Sequence, residues 1–205
     1  MTKINPKKSA LLVIDITNLC CSVKCERHAS HGRIRRMVPN LVKFIEEYKK
    51  RSLGPVIYTN CTKWDKKHLA PNIVELYKDP KCRWYSKDRS GFSEKFYKVR
   101  PGKDDFIVTK NTYDAFSNPK LEKMLKKKRV KRLIVTGIFG DGCVHTTINS
   151  GFSKGYSFII LKDLIETTNA KSRQDLQRLL KNYSWPLMFG KTIVSKEFLR
   201  VAGKI

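Results

Sequence analysis

Three residues in this 205-residue chain have side chains suited to covalent chemistry and sit where a strand gives way to a turn: Asp15, Lys110 and Cys143. Cys143 follows Gly137, Gly140 and Gly142 and opens a segment of helical length, with Val144, Thr147, Ile148, Gly151 and Phe152 spaced along one face. At the first turn of a helix, unpaired N–H groups and the positive end of the dipole favour thiolate over thiol, which makes Cys143 the best nucleophile in the sequence. The competing reading is a buried cysteine packed as a small hydrophobe. Asp15 ends the run SALLVID, and Lys110 ends DFIVT. A carboxylate could take the thiol proton, and an ammonium could stabilise neighbouring negative charge.

The elements that must position these groups read as an alternation of strands and helices. Strands are expected at Ser9–Asp15, Val56–Thr59, Asp105–Thr109, Arg132–Gly137, Ser157–Leu161 and Lys191–Val194. Helices are expected at Val38–Tyr48, from Asn118-Pro119 with Leu121, Met124 and Leu125 inward, and at Lys171–Tyr183 with Leu176, Leu179 and Leu180 inward. This order implies a three-layer α/β/α fold around a mostly parallel, Rossmann-like sheet, whose ligands bind beyond the carboxyl ends of the strands. No repeat, linker or low-complexity tract interrupts it, so residues 1–205 read as one domain.

Residues 16–33 show no clean period and read as a loop. Cys20, Cys21, Cys25, His28 and His31 lie in it, but their spacing fits no closed zinc pair, and no metal is expected. The stretch 60–91 is long, polar and rich in Trp, Lys and Pro. Trp64 and Trp84 in it could wall a pocket or anchor the loop.

The formal net charge is +25, and eight of the thirteen positions in Lys120–Arg132 are basic. A nucleic-acid partner is one reading of that run. A solvated helix face is the plainer one, since no aromatics interleave to stack bases. No apolar run reaches the roughly 18–20 residues of a membrane span, and MTKINPKKSA lacks a secretory apolar core. A cytoplasmic protein with six reduced cysteines is expected.

The blocks ALLVIDITN (10–18), VTKNTYDAF (108–116) and VTGIFGDGCVHTT (135–147) resemble the isochorismatase-like cysteine hydrolases, which include nicotinamidases and carbamoyl amidohydrolases. GYSFIILKD (155–163) and GKTIVSKEFL (190–199) extend the likeness over nearly the whole chain. The resemblance implies a catalytic triad of Asp15, Lys110 and Cys143, and a cis peptide between Ile138 and Phe139. It also implies an oxyanion hole from the N–H groups of Phe139 and Cys143, substrate contacts from Ile138, Thr17, Trp64 and Phe116, and a homo-oligomer, a dimer or tetramer. The implied reaction is cleavage of a C–N bond in a small amide or carbamoyl compound through a Cys143 thioester, without a cofactor. Departures limit the likeness: Thr17 and Leu19 stand where the family often has Gln and Asp. Cys61 and Lys63 occupy the positions of a nicotinamidase Asp-x-His metal motif, so nicotinamide is demoted as substrate. The alternatives are a hydrolase of a non-amide bond, such as a vinyl ether, and an inactive basic binding protein with the same fold.

Overall fold

The computed structural model describes residues 5–26 and 28–202. In chain order the elements are β1 (Ser9–Ile14), α1 (Asn18–Cys21), α2 (Gly32–Lys50), β2 (Val56–Cys61), α3 (Pro71–Leu76), β3 (Phe106–Lys110) and α4 (Pro119–Lys127). There follow β4 (Arg132–Ile138), α5 (His145–Ser153), β5 (Ser157–Glu166), α6 (Lys171–Leu179), β6 (Gly190–Ile193) and α7 (Ser195–Ala202). The strands form one sheet in the order β3-β2-β1-β4-β5-β6, and every pairing is parallel.

The two-residue period of the strands divides the core. Along β1, Leu11 and Val13 face a cluster with Met37, Leu41 and Phe44 of α2 and Phe198 of α7. Ala10, Leu12 and Ile14 face the other, with Leu121 and Leu125 of α4 and Val144 and Ile148 beside α5. All six residues of β1 are buried, as a strand covered on both faces requires.

Several boundaries differ from the sequence expectation. Helix α2 starts at Gly32 rather than Val38 and carries Pro39 internally. A proline is best tolerated in the first helical turn. The preceding turns are nevertheless held because Ile34 and Met37 extend the buried stripe. The expected loop 16–33 contains α1 and a 3₁₀ turn, His28–His31. In α6, Leu176 and Leu179 are 47% and 51% exposed rather than inward, and Gln177 and Leu180 take the buried side. After α6 the chain runs on as a wide turn, Leu180–Phe189.

The order of the sheet reverses direction between β1 and β4, which opens a crevice beyond their carboxyl ends. Gly137 sits at this point with φ +119°, and a Cβ there would lie 2.2 Å from the Ile14 carbonyl oxygen. Only glycine allows β4 to approach β1 so closely one residue before Asp15.

Candidate active site

Asp15, Lys110 and Cys143 converge beyond this edge of the sheet, and all three are buried. Asp15 leaves β1 with φ +57°, a left-handed conformation that aspartate tolerates. Its carboxylate is held from two sides: Thr59 Oγ1 donates to Oδ1 at 2.8 Å, and Lys110 Nζ lies 2.8 Å from Oδ2. Lys110, the last residue of β3, also donates to the Thr112 carbonyl at 2.9 Å, to Cys61 Sγ at 3.4 Å and to Cys143 Sγ at 3.5 Å. Three ammonium protons thus serve four acceptors, so Lys110 is the electrostatic hub of the site.

Burial is the largest single influence on Lys110 and alone would lower its pKa, but Asp15, Cys143 and Cys61 together outweigh it and hold it well above the ordinary lysine value. Cys143 behaves differently. Burial raises its pKa, Lys110 lowers it, Asp15 raises it again, and the balance stands at about 12. Burial thus favours the thiol, against the thiolate that a helix start would favour. The local backbone explains part of the difference. Cys143 lies inside a π-type turn, Gly140–Val144, in which Gly142 N and Val144 N both donate to the Phe139 carbonyl at 3.0 Å. Helix α5 starts only at His145, and Phe152, expected on its inner face, is 47% exposed.

The Ile138–Phe139 peptide is cis. Phe139 then turns its ring between His31, at 5.5 Å between ring centroids, and the Arg173 guanidinium, 5.0 Å from its centroid. Arg173 forks onto Asp141, Nε to Oδ2 at 2.6 Å and Nη2 to Oδ1 at 2.8 Å, tying α6 to the turn that carries Cys143.

Above the three residues lies a cavity of about 360 Å³. Asp15, Cys20, Cys61 and Cys143 form its floor, and Trp64, Tyr77, Trp84, Tyr113 and Phe139 wall it. Trp64 stacks on Tyr113 with centroids 6.1 Å apart, and its Nε1 donates to the Tyr77 hydroxyl at 3.1 Å. Both tryptophans of the 60–91 stretch therefore wall a pocket. The other expected substrate contacts do not reach it. Ile138 is fully buried in the core on the α2 side. Thr17 is buried and bridges backbone to backbone with Phe96. Phe116 stacks on Tyr156 beneath α5, in a space that Gly151 leaves open, where a Cβ would lie 2.6 Å from the Phe116 ring. Sequence reading missed Tyr77, Asp141 and Arg173 as site residues. Tyr77 and Arg173 come from distant segments that only the tertiary fold brings to one rim, and Asp141, two residues before Cys143, is marked only by the fork it receives from Arg173.

His68 pairs with Asp65 at 2.7 Å and is not part of the cavity lining. Among the described residues no group of three or more His, Cys, Asp or Glu side chains is arranged to hold a metal ion. Among them, too, no helix is long and apolar enough to cross a membrane.

The isochorismatase domain model matches residues 9–193. The chain is 25% identical over 173 residues to the isochorismatase family protein YaaI of Bacillus subtilis, covering 84% of this chain and 88% of that one. It is 22% identical over 177 residues to the ureidoacrylate amidohydrolase RutB of Acinetobacter baylyi, covering 78% and 71%. Among solved structures, a cysteine hydrolase from Pseudomonas syringae pv. phaseolicola superposes with a TM-score of 0.82 at 22% identity, over 99% of this chain and 96% of that one.

Proposed function

This chain belongs to the isochorismatase family, and we propose that it is a cysteine hydrolase cleaving a C–N bond of a small amide or carbamoyl compound. The observation that carries this reading is the placement of Lys110 Nζ against both the Asp15 carboxylate and Cys143 Sγ at the floor of a cavity. A thiol with a pKa of about 12 is a poor nucleophile at neutral pH, so its proton must leave as the sulfur attacks. Asp15 is the acceptor in reach, and Lys110 stabilises the charge as it moves onto the sulfur.

The sulfur adds to the carbonyl carbon, and the resulting oxyanion is bound by the N–H groups of Phe139 and Cys143. Protonated Asp15 returns its proton to the departing ammonia or amine, leaving an S-acyl Cys143. Water, deprotonated by Asp15, then hydrolyses the thioester and frees the thiol. Loss of one oxyanion donor typically costs about 10²–10³ in rate, so the turn that carries Cys143 matters as much as its sulfur. Five aromatic walls around about 360 Å³ favour a small, planar substrate. The amidohydrolase activity named for the relative RutB supports the C–N reading.

A second reading follows from the same high thiol pKa. If the sulfur stays protonated throughout, Asp15 acts alone as acid and base on a non-amide bond such as a vinyl ether. Ammonia release from a panel of small amides and ureas, run beside Cys143→Ala, separates the two. The thioester route predicts release by the native protein and a loss on the order of 10⁴-fold or more in the variant. Full activity of Cys143→Ala on a vinyl ether, with no ammonia released from the panel by either protein, would select the second reading.

A further inference from the structure

Cys61 is not used by the hydrolysis, yet it lies on the cavity floor beside Cys143. It ends β2, in register with Lys110 of β3. Both sulfurs lie within 3.5 Å of the same lysine nitrogen, hence within twice that distance of each other. Disulfide formation asks for two sulfurs that close, a positive group to support the attacking thiolate, and access for an oxidant. Here burial raises the pKa of both thiols, so each proton must leave as its sulfur attacks; Lys110 stabilises charge on either sulfur, Asp15 accepts the Cys143 proton, and the cavity admits a molecule as small as a hydroperoxide. Cys20 also borders the cavity, but its thiol hydrogen-bonds to Thr17 and makes no contact with Lys110 among those described. The exposed Cys82 is not among the cavity residues.

We infer that Cys61 and Cys143 form a reversible intramolecular disulfide when the protein meets a hydroperoxide, making Cys61 the resolving thiol of a peroxide-modifiable site. In the first step the Cys143 sulfur attacks one peroxide oxygen. An S–O bond forms, the O–O bond breaks, and the thiol proton, passed through Asp15, leaves with the other oxygen as water or an alcohol. In the second step the Cys61 sulfur attacks the sulfenic sulfur. The S–S bond forms, the S–O bond breaks, and the hydroxyl departs as water with the Cys61 proton. Two thiols are oxidised by two electrons, and one peroxide is reduced. The disulfide caps Cys143 before it can advance to the irreversible sulfinic acid, and thiol reductants restore it. This requires Cys143 to react with a small electrophile, but not that it hydrolyse any amide.

The test uses full-length Cys82→Ser protein, which avoids links between molecules, treated with hydrogen peroxide and peptide-mapped without reduction. The expected product is one linked pair of peptides carrying residues 61 and 143, lighter by two hydrogens than their sum and split by dithiothreitol. Adding Cys61→Ser should divert Cys143 to a sulfinic acid that dithiothreitol does not reverse. A link between Cys20 and Cys143, over-oxidation of Cys143 without any link while Cys61 is intact, or a fully reduced Cys143 under conditions that oxidise the other thiols would each overturn the inference. The first arm keeps Cys61 in place, so it decides the matter even if Cys61→Ser folds poorly. Amide hydrolysis is not read in either arm, so the outcome stands apart from that of the ammonia assay.

Discussion

The floor and the walls of the cavity are built in opposite ways. Asp15, Lys110 and Cys143 stand at or just past the ends of β1, β3 and β4, in a sheet whose central strands are buried on both faces. Lys110 and Asp15 have side chains 0% and 3% exposed, and each is pinned by several partners. Trp64, Tyr77 and Trp84 instead belong to the long connection between β2 and β3. There Trp64 and Tyr77 form, with Leu69 and Ile73, a small satellite cluster outside the two main cores. On the proposed function the chemistry belongs to the sheet and the choice of substrate to the connection, so changes on the two sides should fail in different ways.

The largest effect is expected at the floor. Lys110→Met leaves a buried Asp15 without its counter-charge, which should lower stability by about 3–5 kcal/mol and activity at least about a thousandfold, read by denaturant unfolding and by ammonia release. Adding Asp15→Asn, which tolerates the positive φ, should recover part of the stability and none of the activity. Recovery of both would break the contrast.

The thiol gives the next test. With burial pushing Cys143 up to about 12, iodoacetamide should label it at neutral pH at least about tenfold more slowly than exposed Cys82. Its rate should still be rising above pH 9. Faster labelling of Cys143 below pH 7 would restore the thiolate that the helix-start reading of the sequence suggested.

At the wall, Trp84→Ala should raise KM about tenfold, the equivalent of about 1.4 kcal/mol of lost stacking, while kcat changes by less than about threefold. A fall in kcat with KM constant would place Trp84 with the floor.

The smallest effect concerns His145, whose Nδ1 receives the Trp185 Nε1 proton at 3.1 Å. Burial holds its pKa below the ordinary value of 6.5. Just below that pH the unfolded chain binds more protons than the native one, so stability is complete above it and declines as pH falls. Denaturation midpoints should drop between pH 7 and pH 5, and His145→Gln should remove a part of that drop worth less than about 1 kcal/mol.

The same contrast explains what the sequence disclosed. β1 and β4 were legible because a parallel strand buried on both faces is an unbroken apolar run, and the residue that ends it marks the ligand edge. The walls were legible only in part: Trp64 and Trp84 stood out by residue type, but a long connection obeys no period, so Tyr77 carries no local mark of its role. Helix α6 misled for another reason. Its leucines share a stripe, yet the core side is taken by Gln177, whose amide donates to Glu166 at 2.7 Å. The extension of β5 as far as Glu166 places that carboxylate there, and a carboxylate held inside calls for polar partners. Leu176 and Leu179 are left outward. Phe116 misled in the opposite sense, since its place in the motif block said nothing of the space that Gly151 opens beneath α5.

The most direct test of the thioester is to mix the native protein with an amide that it turns over, quench in acid within one turnover and weigh the intact chain. The expected result is a mass increase equal to the acyl group less one hydrogen, located at Cys143 by peptide mapping and absent from Cys143→Ala. Turnover at full rate with no adduct in either protein, or an adduct on any other residue, would contradict it.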